Sequence, residues 1–520
     1  MNTGTLEIFI TMCCYMAVVI GIGVYFAKRA NESSDNYFIG GRALGPWVAA
    51  MSAEASDMSG WLLMGLPGVA YWYGLSDAVW TAIGLFIGTY INWLLVAKRL
   101  HGYSIIAGDS ITVPDFLSNR FKEQNKIIMG ISSVFILVFF TVYAASCFVT
   151  VGKLFNSLFG LPYQYLMIGG ALFVIIYTFL GGFLAESVSD FMQGIVMIVA
   201  LGLLLVISLI YAGGPGAVLE NLREIPGFLD FFGISSPTVV DGVQQVSESG
   251  APLFGEAGKY GLLTIISTLS WGLGYFGVPQ VLLRFMAIRK HSEIRQSRRI
   301  ATVWCGISLV AAVCIGLIGR AIVPAELLTA GAAESIFIVM STKLLPTLFA
   351  GLAMAGILAA TISSSDSYLL IAASAFAKSI FQGIIKKDAT DKQVMSVSRI
   401  VLVLVALIGI VIALDENSVI FTVVSFAWAG FGATFGPIML FSLFWKRTTR
   451  EGAISGMLAG GVMVFIWKLA LKPMGGIFGI YELLPAFLVS CIVIVVVSLL
   501  TKEPSEEIQI EFDLATVYED

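Results

Sequence analysis

The stretch Glu54–Gly68, EASDMSGWLLMGLPG, decides how the rest of the chain is read. It lies inside an apolar region, yet it carries two carboxylates (Glu54, Asp57), two serines, three glycines and Pro67. Glycine and proline weaken a helix, and polar side chains in apolar surroundings must find partners. A patch of this kind in such a place needs a physical reason, and the surrounding chain supplies it.

The surroundings are membrane. Hydrophobic residues make up 58% of 520 positions and charged residues only 12%, against about a quarter charged in a soluble domain. Runs such as LEIFITMCCYMAVVIGIGVYFA and FLVSCIVIVVVSLL recur from end to end, and a helix needs roughly 20 apolar residues to cross a bilayer. The runs do not alternate with polar residues, as a membrane barrel would require. The chain reads as an all-α polytopic protein of the cell membrane, with the lipid bilayer as its surroundings and no nucleic-acid partner. The first run lacks a basic leader and a small-residue cleavage site, so it reads as a retained span. All six cysteines fall in apolar runs, and both histidines, His101 and His291, lie among Lys and Arg. Transition-metal or disulfide chemistry is not expected. No G-x-x-x-x-G-K-[ST] loop and no nucleophile constellation is present, so the expectation is not an enzyme.

Thirteen spans are expected, numbered 1 to 13 in order: 6–27, 44–73, 77–97, 127–156, 162–181, 188–212, 259–283, 301–322, 346–377, 397–414, 418–445, 452–471 and 479–500. With the N-terminus outside, 23 of the 30 Lys and Arg fall on the inner side, so the positive-inside rule gives N-out and C-in. The segmentation is 1–43, an extra helix and inner loop; 44–212, a first five-helix unit; and 213–258, a Gly/Pro/Ser-rich outer loop. A second unit follows at 259–446, then two helices at 447–501 and an acidic, mobile inner tail at 502–520.

A second interruption like that of span 2 occurs in span 7, TLSWGLGYFGVPQVLLRF, with three glycines and Pro279. Spans 2 and 7 are five helices apart, and an odd number inverts the second unit relative to the first. Interrupted helices at matching places in two inverted halves point to a transporter site near mid-membrane. Breaking a helix frees carbonyls to hold a cation and N–H groups to hold a carboxylate. The competing reading is that Gly and Pro are simply common in membrane helices. A third patch, AATISSSDSYLL in span 9, puts Ser363, Ser364 and the Ala360 carbonyl on one helix face, with Ser367 four residues after Ser363. Such neutral oxygens suit a hard cation, although membrane serines also bond to their own helix.

GGRALGP, ASDMSGWLLMGLPG, SWGLGYFGVP and FAWAGFGATFGP resemble the sodium/solute symporter family, and within it most closely the sodium/proline symporters. The resemblance runs from about residue 6 to 500. It implies thirteen spans with a LeuT-type inverted repeat and Na+-coupled symport of L-proline by alternating access. It also implies a Na+ site made by the carbonyls of Ala55, Met58 and Ala360 and the hydroxyls of Ser363 and Ser364. Asp57 and Ser59 are implied in Na+ dependence as well. The solute site would lie on span 7 at Trp271, Tyr275 and Pro279, with Tyr143 of span 4 as a gating and solute-contact residue. A pyrrolidine ring suits an aromatic wall, and a half-helix N-terminus suits its carboxylate. For each aromatic the alternative is ordinary helix packing.

Four residues stay open. Arg42 either lines the inner exit or is a topology signal. Asp190, an intramembrane acid, either joins Ser363, Asp366 or Ser367 in a second cation site or caps its helix. Glu54 and Asp366 add carboxylates that the proline-symporter pattern does not explain. The rival functions are symport of another amino acid, a vitamin carboxylate or a sugar, and a channel.

Overall fold

The computed structural model describes residues 3–30 and 32–517, and most of them belong to helices. Among the described residues, ten helices are long and apolar enough to cross a membrane, and Leu262–Phe276 with Pro279–Ala287 forms one more span bent by 42°. The shorter apolar helix Tyr163–Phe179 occupies the place of span 5. Span 2 is built from three pieces, Pro46–Gly60, Trp61–Gly65 and Leu66–Tyr73.

At the centre lie spans 2 and 9. Residues 49–72 of span 2 are all buried, and so is nearly every residue from 350 to 374 of span 9. Span 9 packs on spans 1, 2, 4 and 6, so its serines face protein and not lipid. Spans 1, 10, 12 and 13 lie at the periphery and show Val, Leu and Ile outward, as lipid-facing helices should.

The interruption of span 2 falls at Ser59, whose φ of 50° and ψ of −169° leave the helical region. Residues 55 and 58 both lie before it. None of the three glycines adopts a positive φ, and Pro67 merely opens the last piece. A non-glycine residue in this conformation is strained and persists only when its surroundings fix it. In span 7, residues Ser270–Phe276 tighten into a 3-10 helix, Val278 is extended, and a regular helix restarts at Pro279. This segment lies so close to span 3 that a Cβ on Gly88 would sit 2.5 Å from the Gly272 Cα. Spans 5 and 6 meet at Gly182 alone (φ 60°). The expected turn over 182–187 is therefore one residue, and Glu186 and Ser187 are already helical and buried.

One face carries the 213–258 segment. There the helix Pro215–Arg223 and two short antiparallel strand pairs are tied to the span 2–3 junction, with Leu75 N–H donating to the Phe228 carbonyl at 2.8 Å. The opposite, basic face gathers the connections rich in Lys and Arg. Leu44 and Ile288 form a bridge across it, and its loop helix Val113–Arg120 is capped by Thr112. The tail expected to be mobile is here a helix, Glu506–Val517. Ile508, Phe512 and Ala515 recur at helical spacing and are buried, while Glu511 pairs with Lys122 and Asp513 with Lys446. Acidic composition suggested disorder; the apolar stripe within it decides otherwise.

Gly272→Val forces a side chain between two backbones and is expected to destabilise by about 1–3 kcal/mol or more. Gly202→Ala, which meets nothing within 4 Å, is expected to be neutral or stabilising. Thermal unfolding of the two purified variants in detergent checks the contrast.

Candidate functional site

Ahead of the interruption at Ser59, span 9 donates hydrogen bonds to span 2 carbonyls. Ser363 Oγ donates to the Ala55 carbonyl at 2.8 Å and Ser364 Oγ to the same oxygen at 3.3 Å. Ser363 Oγ also lies 3.2 Å from the Ala360 carbonyl. Four of the five expected cation ligands thus converge in a fully buried spot. The fifth, the Met58 carbonyl, accepts the Trp61 N–H within the break itself. Two carbonyl and two hydroxyl oxygens can coordinate a hard monovalent cation once the hydroxyl protons turn away. Ser59 fixes the break from its own side, its Oγ accepting the Trp61 N–H at 3.2 Å.

Asp57 faces the other broken helix. Gln280 Nε2 donates to its Oδ1 at 3.4 Å, from the first turn of the half-helix that starts at Pro279. A carboxylate at a helix N-terminus is stabilised by the unsatisfied N–H groups there. Its backbone carbonyl accepts from Tyr368 Oη at 3.5 Å, and the Tyr368 ring stacks on Tyr143 with centroids 4.3 Å apart. Tyr143 therefore stands one ring behind the break, buried against span 9. Glu54, one turn before Asp57, is also buried, with Trp93 Nε1 donating to Oε1 at 3.4 Å and no hydrogen-bond partner for Oε2 among the described residues.

Trp271 and Tyr275 do not face the same way, as regular helical spacing would have made them. On the 3-10 segment Trp271 turns toward Trp61 (5.6 Å), Phe421 (5.3 Å) and Tyr481 (5.1 Å). Tyr275 meets Trp428 edge-on with centroids 5.0 Å apart, and its carbonyl accepts from Asn92 at 2.9 Å. Trp428 touches both rings, and its indole N–H donates to the Trp271 carbonyl at 2.8 Å. A cavity of about 400 Å³ on the 213–258 face ends at Trp271, Phe421 and Tyr481, with Asp77, Lys468 and Lys472 nearer its mouth. Behind Trp271 lies Trp61, two residues past the break, its indole N–H buried without a hydrogen-bond partner among the described residues.

A charged knot lies on the basic-face side of these residues. Arg284, fully buried, bonds to Ser52 Oγ at 3.0 Å, Ser367 Oγ at 2.8 Å and Asp190 Oδ2 at 3.2 Å, and forms an ion pair with Glu186. Ser52 donates to Asp190 at 2.7 Å, and Ser367 bonds to both Glu186 and the Ser363 carbonyl. The partners of Asp190 are thus Ser52 and Arg284; it reaches Ser367 only through the guanidinium. Asp366 accepts the Ser367 N–H at 2.8 Å and lines a small cavity with Glu186, Tyr177 and Thr178. Arg42 donates to Asp109, Ser104, and the carbonyls of Met286 and Ser110, fastening spans 2, 3 and 7 together at the basic face.

Sequence reasoning missed Gln280, Arg284, Glu186, Ser52, Tyr368, Trp61, Phe421 and Trp428. For Arg284 a signal existed: a buried acid such as Asp190 needs a cation, and Arg284 is the basic residue nearest the second break.

The sodium:solute symporter family model matches residues 37–460. The chain is 40% identical over 513 residues to a sodium/proline symporter of Staphylococcus aureus strain USA300, covering 98% of this chain and 95% of the relative. Its counterpart in strain JH9 matches equally. The fold resembles a Na+-coupled sialic acid symporter in a substrate-bound outward-open state, with TM-score 0.74, 18% identity, and 96% and 99% of the two chains covered. It also resembles MhsT in complex with L-phenylalanine, with TM-score 0.51, 14% identity, and 87% and 97% covered. At these identities the two structures speak for the LeuT-type fold alone.

Arg284→Gln leaves Glu186 and Asp190 buried beside no cation and is expected to destabilise by about 3–5 kcal/mol. Adding Glu186→Gln should recover part of that loss. Thermal unfolding of the single and double variants reads the difference.

Proposed function

The chain belongs to the sodium:solute symporter family, and from that premise we propose that it carries L-proline into the cell with Na+ by alternating access. The observation that carries this reading is the grip of Ser363 and Ser364 on the Ala55 carbonyl, where a broken and an unbroken span offer neutral oxygens to each other. The proline assignment is supported by the relatives at 40% identity and by the aromatic wall at Trp271.

Na+ enters between spans 2 and 9 and takes the Ala55 and Ala360 carbonyls and the two serine hydroxyls, with the Met58 carbonyl completing the set. The oxygens are neutral, so Asp57 supplies the nearest compensating charge. Filling this site draws the end of the first half of span 2 toward span 9. Asp57, bonded to Gln280, carries that shift to span 7, where Trp271 and Tyr275 bound the solute. Ser59 keeps the break in place and Pro279 starts the half-helix that faces the solute carboxylate. Tyr143 backs the site through Tyr368. The Arg284 knot, with Asp190, Asp366 and Ser367, ties the serine helix to span 7, and Arg42 holds the basic-face ends closed.

The driving force is sufficient without ATP. A potential of 100 mV contributes about 2.3 kcal/mol per charge, and a tenfold Na+ gradient about 1.4 kcal/mol. One Na+ per solute thus sustains roughly a 500-fold solute gradient.

Proteoliposomes given an inward Na+ gradient should accumulate labelled proline above equilibrium; a flux that only equilibrates would indicate a channel. Ser363→Ala and Ser364→Ala should each raise the half-saturating Na+ concentration by about tenfold, the effect of roughly 1.4 kcal/mol. An unchanged value would remove that serine from the site. Trp271→Ala should raise the half-saturating proline concentration, and competition by other amino acids, vitamin carboxylates or sugars tests the solute.

A further inference from the structure

The C-terminal helix Glu506–Val517 sits where three basic-face elements meet, and nothing in the transport cycle above uses it. Two arginines form the joint. Arg99, at the end of span 3, donates through Nε to the Leu443 carbonyl at 2.8 Å. Arg120, ending the loop helix Val113–Arg120, donates through Nε to the Ser442 carbonyl at 3.0 Å. Both carbonyls belong to the last turn of span 11, Ile420–Phe444, whose final carbonyls lack helical partners and attract cations.

The tail helix closes over this joint. Phe512 lies between the two guanidinium groups, 4.9 Å from that of Arg99 and 5.4 Å from that of Arg120. Arg99 also donates to Thr516 Oγ1 at 2.6 Å. The rim is ionic: Glu511 and Glu507 pair with Lys122, Asp513 with Lys446, and Glu503 with Arg447. Phe512 and Ile508 are 8% exposed, whereas Glu507, Asp513 and Glu503 are 60–72% exposed on their side chains. The attachment therefore has a small buried centre and a rim whose pairs are weak singly and weakened further by salt.

We propose that this helix is an autoinhibitory strap. It holds the basic-face ends of span 3, the loop helix and span 11 together, and rising ionic strength on that side loosens it and speeds turnover. Any opening between span 3 and span 11 must separate Arg99 from Leu443, and the strap adds Phe512, Thr516 and the ionic rim across the same joint. The proposal rests on the transport reading only for what the strap slows; its attachment and release stand apart from it.

The test compares the full chain with a variant ending at Lys502, with Glu511→Lys, and with the swapped pair Lys122→Glu/Glu511→Lys. Na+-driven proline uptake is measured in proteoliposomes at symmetrical KCl from about 0.05 to about 0.5 M, osmolarity being balanced with sucrose. Over this range the screening length falls from roughly 14 to roughly 4 Å. The full chain should gain about three- to tenfold in maximal rate, the scale of losing a few exposed ion pairs, with little change in half-saturating proline. The truncated chain and Glu511→Lys should start fast and respond little, and the swapped pair should regain the salt response. Identical salt profiles in the full and truncated chains would overturn the proposal. Hydrogen exchange of the 506–517 amides across the same KCl range is read in parallel. Protection lost with salt supports the strap and protection retained overturns it. Should the full chain take up no proline at all, the transport reading fails and the exchange measurement alone decides the strap.

Discussion

The centre of this molecule is organised by one constraint: a helix interrupted inside a bilayer must give its freed backbone groups new partners. Span 2 leaves the helical region at Ser59, and span 9 donates hydrogen bonds to carbonyls of the turn before it. Ser363 and Ser364 donate to the Ala55 carbonyl, and Tyr368, one turn further on, to that of Asp57. The Met58 carbonyl is satisfied inside the break by Trp61. These contacts gather oxygens that can coordinate a cation once the hydroxyl protons turn away.

Charge burial follows a related logic. Glu186, Asp190 and Asp366 would be prohibitive in an apolar interior without compensation. Arg284 engages two of them directly, while also holding Ser52 of span 2 and Ser367 of span 9. A fully buried guanidinium suits this because its planar fork offers five donors in fixed directions. The knot ties four spans at one depth, so it specifies their relative placement whatever its net effect on stability. Glu186 Oε2, Asp190 Oδ1 and Asp366 Oδ2 remain without hydrogen-bond partners among the described residues.

Much of this was legible in the sequence, for identifiable reasons. Membrane class follows from composition, and the two interruptions from Gly and Pro among apolar runs. The serine face of span 9 follows from 3.6-residue periodicity. What escaped depended on contacts between distant segments or on local departures from regular helix. Arg284 and Glu186 lie near apolar-run ends and read as loop charges, because hydropathy cannot see a partner on another helix. The break was attributed to glycine, yet a serine occupies the strained conformation. Trp271 and Tyr275, four apart, share a face on an α-helix but not on the 3-10 segment that forms here. The tail helix was hidden by its acidic composition, although Ile508, Phe512 and Ala515 already mark one face.

These corrections bear on how binding at one place could be felt at another. Ala55 to Trp61 is a run of seven consecutive residues. Ala55 meets the serines of span 9, Asp57 meets Gln280 of span 7, Ser59 holds the break, and Trp61 backs Trp271. A cation drawing on the Ala55 carbonyl therefore acts on a segment less than two turns from the aromatic wall, with no long relay to traverse. A regular helix in this position would keep its carbonyls bonded to itself and transmit only rigid-body motion. The interruption places a soft joint between the two contacts, so the halves of span 2 can shift separately. Each half answers to a different neighbour, span 9 on one side and span 7 on the other. Coupling between a cation and a solute then requires only that both neighbours be correctly placed at once, and the Arg284 knot, which joins spans 7 and 9 directly, is built to enforce that placement.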